Sequence, residues 1–162
     1  MSIFASMVET YEFNRVRTLG LLEKIEQEPD PRQALAWRPG AGRAHIGWQL
    51  MHIGVTEEIF ATERLAPDKP GSFTELWPRF RGGSTPDDDD VPAPAQIRQV
   101  LADGRAHLLD TLSRFSETDL TWIPEALKQR NLTLRDVLHI LSFHEAHHQG
   151  QAHITLNLFK AK

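Results

Sequence analysis

Two histidines one helical turn apart, His144 and His148, stand near the end of the chain, and a third candidate, His52, lies far upstream. Histidines at i and i+4 project side by side from a helix and can share one divalent ion without distorting it. The competing reading is a dry core pair, which needs a buried acceptor for each imidazole N–H. One ion removes much of that demand by taking a lone pair from each ring, so metal binding is favoured. The chain has no cysteine, which restricts any metal to nitrogen and oxygen ligands. His52 is preferred to His45 as third ligand. The two are separated by two turns, about 10 Å, too far to share one ion, and His45 stands where an N-cap is expected. Three neutral imidazoles leave a tetrahedral ion one open position, as in catalytic rather than closed structural sites. Zinc fits best, and nickel, iron and copper also accept imidazole.

The stretch His144-Glu145-Ala146-His147-His148 also matches H-E-x-x-H, the zinc-protease signature. Its context is wrong, because no downstream His or Glu stands at ligand spacing and no strand precedes the helix to hold a peptide. Glu145 nonetheless lies about 60° from His148 around the helix and is the candidate general base, against a second reading as a supporting or surface carboxylate. His147 lies about 100° from His148, at the edge of the stripe. His139 and His153 are read as solvated, and His107 as a flank or surface residue. Asp87 to Asp90 lack the spaced ligands and glycine of a calcium loop and are read as a solvated acidic loop.

These residues need helices to position them. A last helix from Thr133 to Phe159 begins with Thr133 as N-cap and Asp136 at N3, a capping-box-like start. Along it Val137, Leu141, His144, His148, Ala152, Thr155 and Phe159 fall within about 40° of one line, so the histidine pair occupies the middle of a core-facing stripe. A first helix over residues 2–28 carries Phe4, Met7, Tyr11, Thr18, Leu22 and Ile25 at three- and four-residue steps and ends at Glu28-Pro29-Asp30-Pro31. A second, from about His45 to Leu65, is apolar around much of its girth, with Ile46, Ile53 and Phe60 forming a seam suited to a neighbour or a subunit interface. A third runs from Pro94 to about Phe115 with Ile97, Leu101, Gly104, Leu108 and Leu112 in its stripe. Residues 67–93 show no helical periodicity, and 116–132 form a polar turn with a short helix around Glu117–Leu120.

Four helical patterns without strand alternation or internal repeats predict an all-α four-helix bundle. The long link between helices 2 and 3 acts as a crossover and predicts up-down-down-up topology. At 162 residues the chain is expected to form one domain, 1–162. A net charge of −4 argues against nucleic acid, and no apolar run reaches the roughly 18 residues of a membrane span. No signal peptide is evident, so a cytoplasmic location is expected.

Taken together, Arg38-Pro39-Gly40 leading through Gly42-Arg43 to His45-Ile46-Gly47-Trp48 and His52, with Thr133-Leu134-Arg135-Asp136-Val137-Leu138-His139-Ile140 and His144 through Gln151, resemble the DinB-like (YfiT-like) superfamily of four-helix-bundle metalloproteins. The likeness covers nearly the whole chain. It implies a divalent metal on His52, His144 and His148, the same topology, and a homodimer. His45 departs from the Ser or Thr that commonly caps this helix in the family, which leaves its role open. Characterised relatives include zinc-dependent transferases of low-molecular-weight thiols and a thiol-dependent isomerase. The resemblance therefore implies a small-molecule substrate and a low-molecular-weight thiol co-substrate. Hydrolysis by a metal-bound hydroxide and a non-catalytic interaction module are the alternatives. Tyr11, Trp48, His147 and Gln151 are the candidate substrate-contacting residues, with Glu145 as the catalytic candidate.

Overall fold

The computed structural model describes residues 2–162, and among them there is no strand. Met1 of the expected domain span lies outside the described residues. The chain runs through α1 (Ile3–Glu26), α2 (Pro31–Ala36) and α3 (Ile46–Ile59), which continues as a π-helical turn over Phe60–Leu65. After a 3-10 turn at Thr74–Leu76 come α4 (Trp77–Phe80) and α5 (Pro94–Leu112). Two more 3-10 turns, Glu117–Asp119 and Glu125–Arg130, lead into α6 (Leu134–Lys160).

Three of the four long helices, α1, α3 and α6, start where a side chain satisfies a free N–H group. Ser2 accepts from the Ala5 N–H, and Thr133 and Asp136 form the reciprocal capping box expected of them. At α3 the cap is His45. Its Nδ1 accepts from the Trp48 N–H at 3.0 Å while Nε2 meets the Asp87 carbonyl at 3.1 Å, so both ring nitrogens are engaged and the residue is a cap, not a ligand. The contacts between helices have a definite order. Tyr11, Asn14 and Thr18 of α1 bond Leu138, Ser142 and Glu145 of α6 in sequence. Gln49 and His52 of α3 meet His148 and His144 of α6 in reverse sequence. Between α3 and α5 the backbones nearly touch. A Cβ on Gly104 would lie 2.5 Å from the Gly54 carbonyl oxygen, and one on Gly54 2.6 Å from that of Val100. Only glycine permits this approach.

Two apolar clusters form the core, one containing Leu22, Met51, Ile53 and Leu101, the other Tyr11, Leu108, Val137 and Leu138. Ile46 and Ile53 are completely buried in the first, so the seam expected to offer a partner surface is spent inside the chain. On α1, α3, α5 and α6 a charged layer separates the two clusters. Arg15 bonds Glu145 and Glu57 at 2.8 Å each, and Arg105 bonds the same two carboxylates. All four side chains are at most 8 % exposed.

The crossover has more structure than its sequence suggests. Glu58, fully buried on α3, accepts from the Ser72 N–H, the Phe73 N–H and, at 2.8 Å, the Trp77 indole. Those bonds and the buried Phe73, Leu76 and Phe80 pin 72–80 against α3. Asp88 and Asp90 pair with Arg38 and Arg79, so the acidic loop is partly stitched down rather than wholly solvated. His107 is also more enclosed than expected, being buried with its Nε2 at 2.8 Å from the Thr62 hydroxyl. The π-helical turn rotates Thr62 toward α5, a displacement that α-helical spacing does not anticipate.

Candidate metal centre

His52 projects from α3 and His144 and His148 from α6, and the three rings form a near-equilateral triangle. Their centroids are 4.7, 4.5 and 4.5 Å apart, and one ligand atom from each lies within 4.8 Å of the others. His52 is fixed from behind. Its Nδ1–H donates to the Phe80 carbonyl at 2.6 Å, which leaves Nε2 as the lone-pair nitrogen, and the Trp48 ring stacks on it at 4.5 Å. Trp48 is itself held by indole N–H contacts to the Arg79 carbonyl and the Ser84 hydroxyl. His148 donates its Nδ1–H to the Gln49 side-chain oxygen, so its Nε2 is also free. Hydrogen bonds of this kind set the tautomer and orientation of metal-binding imidazoles.

The geometry fits an ion. His144 Nε2 and His52 Nε2 stand 3.0 Å apart, and with the His52 hydrogen on Nδ1 it is His144 that donates. Two nitrogens bound tetrahedrally at 2.0–2.1 Å would be roughly 3.3 Å apart. The pair needs to open by only a few tenths of an ångström, with the His144 hydrogen passing to Nδ1. Burial keeps the rings neutral, which is the form that binds metal. It lowers His52 from its usual range. Burial, then the neighbouring imidazoles, lower His144 to about 2 and His148 to about 3.

These shifts carry a stability consequence for the metal-free protein. Below pH 6.5 an unfolded chain takes protons on His144 and His148 that the folded chain refuses, so stability falls as the pH drops toward their folded values. The slope approaches about 1.4 kcal/mol per pH unit for each histidine. Chelator-treated protein is expected to lose melting temperature steadily from pH 7 to 5, and His144→Phe to flatten that loss. Equal slopes in both proteins would count against the shifts.

A cavity of about 360 Å³ opens onto the three rings. Thr56, Ile59, Phe60 and Leu127 wall it, and Arg64, Arg81 and Arg130 also reach it. Of the residues expected at the opening, Trp48 supports His52 from behind. His147 and Gln151 are exposed and bond each other at 3.0 Å, with the His147 ring edge-on to His148 but outside this cavity. Tyr11 is elsewhere. It is 1 % exposed, donates its hydroxyl to the Leu138 carbonyl and lies under the Arg105 guanidinium, where burial raises its pKa. Glu145 is not beside the imidazoles either. Its two oxygens are taken by Arg15, Thr18 and Arg105, and it does not line the cavity, so the expectation of a base acting on metal-bound water is corrected. Nearness in angle to His148 was misleading, because the 60° turn carries the side chain to a different helix interface.

Sequence reasoning missed Gln49, Thr56 and the three arginines. Gln49 and Thr56 stand one turn either side of His52 and were open to inference. Arg81 and Arg130 lie in irregular segments that no periodicity orients. A family model described as the DinB superfamily matches residues 10–152, a span that includes all three histidines. No curated protein and no solved structure matches the chain.

Proposed function

The chain belongs to the DinB superfamily, and from that membership we propose a divalent-metal-dependent enzyme that transfers a low-molecular-weight thiol to a small electrophile. The observation that carries the reading is the meeting of three imidazoles at one cavity, two of them oriented by hydrogen bonds from behind. His52, His144 and His148 are the ligands, and zinc is the ion this donor set suits best. When bound, such an ion lowers the pKa of a thiol or water in its open position. The chain's own contribution is orientation and exclusion. The Phe80 carbonyl and Gln49 aim two of the rings, Trp48 backs the site, and Ile59, Phe60 and Leu127 keep an apolar wall beside the reacting atoms. In the reaction the thiol sulfur bonds to the electrophilic carbon, the leaving group departs with its electron pair, and the thiol proton passes to solvent.

We read the four long helices as an up-down-down-up bundle of one domain, supported by the order of contacts between α1, α3 and α6. No helix of the described residues is long and apolar enough to cross a membrane. Homodimerisation is assigned to the exposed Phe13, Val16, Phe143 and Ile154 of the neighbouring helices α1 and α6, and monomeric sedimentation would overturn it. The functional test is conjugation of a small thiol to a halogenated dinitroaromatic. Turnover abolished by chelator and restored by zinc is expected. Thiol-independent ester cleavage would instead identify a hydrolase, and an inert protein that retains its ion a binding module.

A further inference from the structure

We infer that the ligand of the open metal position is an anion, whose carboxylate or phosphate group is received by Arg64, Arg81 and Arg130. This rests on the metal site proposed above. The three arginines reach one cavity from three separate segments: the π-helical turn, the end of α4 and the 3-10 turn before α6. No carboxylate lines that cavity. Glu63 offsets one charge from outside it, at 3.4 Å from Arg81 and 3.7 Å from Arg64, whereas Arg130 makes no ion pair among the described residues. The chain carries a net charge of −4, so this is a local concentration rather than a sample of a basic surface.

Each arginine is delivered by a structured element. Leu127, 2 % exposed, anchors the turn that ends in Arg130, and Asn131 reverses the chain after it at φ 51°. Arg81 follows Phe80, whose carbonyl holds His52, so one segment supports both a metal ligand and an anion donor. A cavity floored by three imidazoles that would hold a divalent ion, and rimmed by guanidiniums, has no internal countercharge. Arginine's planar fork matches carboxylate and phosphate oxygens in pairs. Under the thiol-transfer reading, the thiol itself carries the acid group.

The test uses the full chain loaded with cobalt(II), titrated with 3-mercaptopropionate, 2-mercaptoethanol and cysteamine, following the sulfur-to-cobalt charge-transfer band. 3-Mercaptopropionate is expected to bind about tenfold or more tighter than 2-mercaptoethanol, with cysteamine weakest. The Arg81→Gln/Arg130→Gln variant should take up cobalt normally and lose the preference. Inorganic phosphate and succinate as competitors separate the two anion sources, whichever displaces the acidic thiol better naming the group. Equal affinities for the three thiols, or a preference that survives in the variant, would overturn the inference while leaving the metal site intact. A cobalt protein that binds no thiol would sink the thiol reading alone. The anion is then read from the cobalt d–d bands, which succinate or inorganic phosphate must perturb and succinamide must not. A chain that takes no cobalt overturns both.

Discussion

Glu145→Gln is expected to cost about 3–5 kcal/mol of folding stability, because it leaves Arg15 and Arg105 buried with one carboxylate between them instead of two. Against the roughly 5–15 kcal/mol that holds a typical domain together, this is a large fraction. In a chain of this size it corresponds to a fall of roughly 6–20 °C in melting temperature. The consequence reaches the metal centre indirectly. Glu145 lies between His144 and His148, and its bonds to α1 and α5 fix the rotation of α6 that turns those two rings toward α3. Thermal melts with metal analysis decide between this role and catalysis. A variant that melts with the wild type but loses turnover would restore Glu145 as a base and remove the structural account.

Removing a ligand should be as severe for the ion. Structural zinc sites with four ligands bind with about 10–16 kcal/mol, so one imidazole accounts for roughly two to three orders of magnitude in affinity. His52→Ala is therefore expected to bind zinc that much more weakly in a competition titration with a chromophoric chelator. It should also lose the metal-dependent rise in melting temperature, about 4 kcal/mol at a free concentration a thousandfold above Kd. Gln49→Ala, which frees the His148 ring without removing it, should cost only about 10- to 100-fold. Undiminished affinity in His52→Ala would disqualify it as a ligand.

The three histidines that meet were legible because each obeys helical arithmetic. His144 and His148 share the line of Val137 and Leu141, and His52 shares a line with Trp48 and Ile59 on a helix buried all round. The four helix positions were equally plain, ending where Pro29 and Pro67 forbid continuation or beginning where Thr133 caps. The charged layer was hidden by the habit of reading charge as surface. Yet Arg15 stands four residues after Tyr11, Arg105 four after Leu101, and Glu145 four after Leu141, each in a stripe otherwise apolar. Charges at core positions on three helices, two basic and one acidic, are a pattern that demands a buried partner, and Glu57 supplies the balance. What lay beyond reach was the crossover. Its fold depends on Glu58 bonding backbone groups that have no period, and with it go Arg81 and the Phe80 carbonyl.

X-ray absorption at the zinc edge, on protein loaded with one equivalent, puts the central claim to its most direct trial. Three imidazole scattering patterns and one further light ligand at about 2.0–2.1 Å are expected, the light one giving way to sulfur when a small thiol is added. Two or fewer imidazoles, or an all-oxygen shell of the kind the Asp87–Asp90 loop would provide, would contradict it.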